Sequence, residues 1–246
     1  MSGFEAGVRA DSRIGAAKFS HGNADARAPG VLIGRAHVAE SLRRGNGAMR
    51  MAGALLVPLK LVLPVTLLLT ILAAALVYAG MRLGIPGFAP WLTLGELLVP
   101  LAFLAIHITN RRYGAAYALA QVLGAWTIGI AAIWAARSDI LSHPLPATRI
   151  VVAFAGALLV AQVAAVVVFD GLRGPRWWQA PLFASLWGSA ILCVIGFPVA
   201  FAGSDTGWLA AMFDYLGVMI AASVLMVVPY WAIRGIVPPK SGFGGY

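Results

Sequence analysis

From Leu61 to Met81 the chain runs without a single charged residue, and this stretch constrains the fold more than any other. An uncharged apolar run of about 18 residues or more is long enough to cross the hydrocarbon core of a bilayer as a helix. Comparable blocks follow it. In a soluble domain apolar residues recur at helical or strand period between polar ones; here they come in long runs. Composition agrees: 61% of the 246 residues are hydrophobic and 11% are charged, against about 25% charged in soluble domains. The expected fold is an all-α polytopic membrane protein, a six-transmembrane-helix bundle.

The six spans are expected at 55–79, 91–108, 116–136, 150–169, 181–201 and 208–233. Pro58 and Pro64 flank Lys60 at the start of the first, where a lysine can snorkel to the interface, and Pro64 kinks that helix. The second is the shortest and most polar, with Glu96 and His107 inside it and Asn110-Arg111-Arg112-Tyr113-Gly114 closing it. Trp126 and Trp134 lie towards the outer half of the third. Residues 137–149 read as a loop with two prolines, and residues 170–176 as a tight polar turn followed by Trp177 and Trp178 at an interface, where amphipathic rings prefer to sit.

Residues 1–50 differ from all of this. They are rich in Gly, Ala, Arg and Ser, hold no apolar run long enough for a signal-peptide core, and cannot bury a hydrophobic core. They read as a disordered cytoplasmic tail, with Met49 and Met51 as alternative starts. Residues 51–240 form the transmembrane domain, and 241–246 a short C-terminal tail.

The net charge is +9, which in a soluble protein would suggest nucleic acid. No basic stretch is interleaved with aromatics as a single-strand binder requires, so no nucleic-acid partner is expected. The basic residues instead mark sidedness. Arg43, Arg44 and Arg50 precede the first span, Arg111 and Arg112 follow the second, Arg173 and Arg176 follow the fourth, and Arg234 and Lys240 follow the sixth. The loop after the fifth holds only Asp205. Six spans with both ends inside place every basic-rich segment on the cytoplasmic side, as in a bacterial inner-membrane protein.

No Walker loop, GxSxG, HExxH or His/Cys cluster is present, so neither an enzyme nor a cofactor or metal site is expected. Cys193 stands alone and reads as a small buried hydrophobe. Polar residues at membrane depth are costly and are therefore candidates for function. Glu96, Pro100, Phe103, His107 and Asn110 are spaced 4, 3, 4 and 3, which keeps them on one face of a helix with about 3.6 residues per turn. A carboxylate and an imidazole on that face could line a pathway; alternatively each is wetted near its own interface. Gln162 lies in mid-span four, Ser185 and Ser189 are one turn apart on span five, and Asp214 and Tyr215 open span six. The bland alternative for these is an interhelical hydrogen bond. Ala153, Ala157, Ala161 and Ala165 form a stripe suited to close helix packing.

Two stretches carry a resemblance. Residues 100–114, PLAFLAIHITNRRYG, are similar to the second-span signature of the VUT family of vitamin-uptake and queuosine-precursor transporters. Residues 169–181, FDGLRGPRWWQAP, resemble that family's turn between spans four and five, double tryptophan included. Ser185-Leu186-Trp187-Gly188-Ser189 and Asp214-Tyr215 sit at matching places, so the resemblance covers roughly 98–233. It implies a six-span inner-membrane importer of a 7-deazaguanine-type precursor. Taken together with the polar residues at membrane depth, it leaves Glu96, His107, Asn110, Gln162, Trp178, Ser185, Ser189 and Asp214 as the candidate substrate-binding residues. The chain departs from the family pattern at four polar positions: His107 stands where an acid is usual before Thr-Asn-Arg, Leu192 where span five carries an Asp, Val218 where a Lys follows Asp-Tyr, and Ala165 where span four carries an acid.

Two functions compete. One is a small-solute transporter with an altered site, its partners being the lipid bilayer and a small-molecule substrate. The other is a non-transporting subunit packed against a membrane-protein partner or a second copy of itself. The lost polar groups favour the second; Glu96 and His107 on one face favour the first.

Overall fold

The computed structural model describes residues 59–84, 92–135, 148–204 and 207–240. Within them every regular element is a helix, and no strand is formed beyond an isolated bridge between Arg82 and Thr93. The helices are α1 (Leu59–Gly80), α2 (Leu94–Tyr113), α3 (Ala115–Ala135), α4 (Thr148–Gly171), α5 (Gln179–Phe201) and α6 (Trp208–Arg234). The tails 1–50 and 241–246, the beginning of the first expected span, most of the 137–149 loop, Trp91 and Asp205 lie outside the described residues. Six helices match the six expected spans, and the protein is a multi-pass membrane protein.

Five of the helices are long and apolar enough to cross a bilayer by themselves. The sixth, α2, is not among them, because it carries Glu96, His107, Arg111 and Arg112. Its position explains how it tolerates them. It packs against every other helix, and twelve of its residues are buried. Neighbouring helices take the place of lipid around it, so its polar groups are not set in hydrocarbon. The peripheral helices show the reverse pattern, with apolar side chains outward: Leu63 is 76% exposed, Val152 65%, Val194 63% and Trp187 58%. In water such faces would mark an interaction surface; here they meet lipid.

Close packing relies on small residues. The α4 stripe Ala153, Ala157, Ala161 and Ala165 is buried and faces the small residues Ala184, Gly188 and Gly196 of α5. A Cβ on Gly196 would meet the Phe154 ring at 3.1 Å and Ala157 at 3.5 Å, and one on Gly188 would lie 2.6 Å from the Phe103 ring. Between α1 and α2 the approach is closer still. A Cβ on Gly95 would collide with the Ala75 carbonyl oxygen and come within 2.8 Å of the Ala79 nitrogen. In a bilayer, where association rests on packing rather than on the hydrophobic effect, such contacts set which helices meet.

Several element boundaries differ from expectation. Helix α2 continues through Asn110, Arg111, Arg112 and Tyr113, which the sequence assigns to a closing turn. It stops at Gly114, whose φ of 92° lies where glycine is favoured. Two arginines in its last turn also suit the negative end of the helix dipole. Helix α4 likewise runs through Asp170 to Gly171. At the opposite end of α2, Thr93 and Glu96 form a reciprocal capping box: the Glu96 amide donates to Thr93 Oγ1 at 3.3 Å, and the Thr93 amide donates to Glu96 Oε2 at 2.8 Å.

Candidate functional site

The site is built on the second half of α2. His107, 1% exposed, points into the bundle, where its Nε2 lies 2.9 Å from Ser185 Oγ of α5. Its ring is flanked by two phenyl rings in near-parallel orientation, Phe169 at 5.1 Å and 16° and Phe103 at 6.4 Å and 22°. The other ring nitrogen, Nδ1, is buried without a hydrogen-bond partner. One turn from Ser185, Ser189 Oγ is also buried and unpartnered. The α5 face that carries the serines packs against α2, because Gly188 between them admits the Phe103 ring.

Asn110, fully buried, lies one turn beyond His107. Its Nδ2 donates to the Val166 carbonyl of α4 at 3.1 Å. Its Oδ1 and its own carbonyl both accept from Arg173 Nη2 at 2.5 Å. Arg173 in turn donates Nε to Asp170 Oδ1 at 2.7 Å and stacks over the Phe169 ring at 5.3 Å. The polar turn after α4 is thus tied to the end of α2 rather than simply solvated.

The remaining candidates are dispersed. Gln162, fully buried, accepts from Trp126 Nε1 of α3 at 2.7 Å, and its Nε2 has no partner. Glu96 is half-buried at the other end of α2, where its carboxylate serves the capping box. Pro100, Phe103, His107 and Asn110 are all buried while Glu96 is not, so the expected face is continuous but its carboxylate and imidazole stand at opposite ends. Trp178 is 37% exposed and tilts against Phe183; its neighbour Trp177 is the one engaged, by the Arg234 guanidinium at 4.4 Å. Asp214 is exposed on α6, whereas Tyr215 beside it is buried against Phe154 and Phe197. The structure therefore brings together His107, Asn110, Ser185 and Ser189, and leaves Glu96, Trp178 and Asp214 apart.

Two buried residues escaped the sequence reading. Gln121 is fully buried on α3, donating to the Pro64 carbonyl at 2.9 Å with its Oε1 unpartnered. The signal that singled out Gln162, an amide at membrane depth, applied to it equally. Phe169, the ring nearest His107, entered only as the first residue of the 169–181 resemblance and not as a site candidate, because one phenylalanine among apolar neighbours is indistinguishable from core. Of the four departures, Ala165 and Leu192 are buried in the core cluster, and Val218 is half-buried.

No family model, curated protein or solved structure matches this chain.

Proposed function

We propose that this protein is a transporter of a small polar solute, with His107, Asn110, Ser185 and Ser189 as the solute-facing groups. The observation that carries the reading is a pair of buried polar atoms, His107 Nδ1 and Ser189 Oγ, without partners inside a membrane bundle. Leaving such atoms unsatisfied costs about 1–3 kcal/mol each; a site that is vacated and refilled by a polar solute has a use for them. The flanking phenyl rings suit a flat solute, and an imidazole edge can donate or accept a hydrogen bond. With the resemblance at 100–114 and 169–181, these features support a divergent VUT-type importer of a 7-deazaguanine-type precursor in a bacterial inner membrane, with both termini cytoplasmic.

A second reading, a non-transporting subunit, draws on Ala165 and Leu192, small or apolar side chains packed in the core where the resemblance expects acids. One experiment separates the two: uptake of a labelled 7-deazaguanine precursor by cells lacking the protein, carrying it, and carrying the His107→Ala variant, with an immunoblot of membrane abundance beside it. The subunit reading expects the same uptake with and without the protein. The transporter reading expects uptake to fall at least about tenfold at unchanged abundance. Unchanged uptake removes His107 from the site. A parallel fall in abundance assigns it to packing, since a buried group that loses its partner destabilises.

A further inference from the structure

After α6 the described residues stay against the bundle. Residues 235–240 fold back across the end of α2, and two hydrogen bonds with Arg111 help to fix them there. The Lys240 amide donates to the Arg111 carbonyl at 3.0 Å, and Arg111 Nε donates to the Val237 carbonyl at 3.0 Å. The Lys240 side chain extends over the α2–α3 turn, where its Nζ lies 3.1 Å from the Cβ position of Gly114. Arg111 is 7% exposed beneath this segment.

Three features make the segment a strap rather than a trailing end. First, it completes a helix terminus. The last carbonyls of a helix have no partner within it, and here a distant amide caps one of them while a lysine stands where the dipole favours a cation. Secondly, Pro238 and Pro239 lie between the two attachment points; each fixes its φ and neither offers an N–H, so the span between the bonds is stiff. Thirdly, the capped residue is one turn from His107. Four residues at about 1.5 Å per residue place Arg111 roughly 6 Å along the axis from the imidazole, with Asn110 beside it.

We propose that the C-terminal strap 235–240 closes the end of the bundle nearest His107 and Ser185, and that its release from Arg111 opens the site from that side. The inference rests on reading His107 and Ser185 as solute-facing, but its test is chemical accessibility, which fails or holds independently of uptake.

The test uses the full chain bearing Ser185→Cys, with the buried native Cys193 as an internal control. Membrane vesicles exposing this end are treated with a small water-soluble thiol reagent, and modification at each cysteine is followed by mass spectrometry. The same protein carrying Lys240→Pro, which deletes the amide donor to Arg111 and alters no helix, is compared with it, as is a chain ending at Gly235. A closed strap predicts slow labelling at 185 in the parent, a rise of about tenfold or more in both altered proteins, and a protected Cys193 throughout. Equal labelling at 185 with and without the strap overturns the proposal. If the shortened chain labels at Cys193 as well, its bundle has loosened, and Lys240→Pro decides: a rise at 185 with Cys193 protected supports the strap, and no rise overturns it.

Discussion

His107 carries two ring nitrogens in different circumstances, one on Ser185 Oγ and one without a partner, and the two serines of α5 differ in the same way. That contrast yields a prediction in which stability and activity move separately. Ser185→Ala strands His107 Nε2, so it should destabilise the protein by about 1–3 kcal/mol, the cost of a buried group losing its partner. Ser189→Ala removes a hydroxyl that already lacks one, so its melting temperature should stay level or rise, while uptake falls at least about tenfold if that hydroxyl meets the solute. Melting of the purified variants in detergent beside uptake in cells checks both. Uptake undiminished by Ser189→Ala would detach Ser189 from the site. The serines were legible as a pair from their four-residue spacing; which of them was satisfied was not, because that depends on a histidine 78 residues away in sequence. The joining of Asn110 to Arg173 was hidden for the same reason, and residues 170–176 read only as a tight polar turn.

Among the elements, α2 departs furthest from what hydropathy expects of a span, and it is the most enclosed. Its polar residues were legible, as was the single face they share; that the helix lies among all the others was not, since a moderately polar segment can equally skirt an interface. Its first turn is held by the Thr93–Glu96 capping box and by the contact of Gly95 with α1. A Cβ at Gly95 meets backbone atoms of Ala75 and Ala79, which cannot rotate aside, so Gly95→Ala should force α1 and α2 apart and cost about 1–3 kcal/mol, the usual range for overpacking. Gly156 on α4 supplies the control: nothing lies within 4 Å of its Cβ position. There an alanine should be neutral or stabilising by up to about 1 kcal/mol through helix propensity. Thermal melts of the two variants should move in opposite directions or, at the least, only the Gly95 variant should fall. A Gly95→Ala protein as stable as the parent would contradict the packing of α1 on α2.

At the scale of the whole molecule, the helix directions are fixed by contacts between their ends. Arg173 on Asn110, the strap on Arg111 and Arg234 over Trp177 gather the end of α2, the α4–α5 turn and the end of α6 at one pole. Arg149 donates to the carbonyls of Val199 and Ala202 at 3.1 and 2.8 Å, and the Arg82–Thr93 bridge joins the end of α1 to the start of α2. Each of these contacts joins ends that successive antiparallel crossings bring to the same side. The number of crossings was legible in the sequence because each apolar block is about one bilayer thick. The orientation proposed above rests on a different property, the excess of arginine at the pole of α2, the α4–α5 turn and the α6 end, a bias that the positive-inside rule associates with cytoplasmic segments. Native Cys193 is buried, so the parent protein offers a quiet background for thiol labelling. Single cysteines at Arg112 and Arg176, both exposed, should remain unmodified by an impermeant maleimide added to intact spheroplasts and react once the membrane is opened. A cysteine at Ser204, in the turn beyond α5, should react in intact spheroplasts. Modification of the Arg112→Cys protein from outside would invert the orientation and with it the direction from which the strap controls access; modification of only one of the two arginine positions would break the pairing of α2 with the α4–α5 turn on which the site is built.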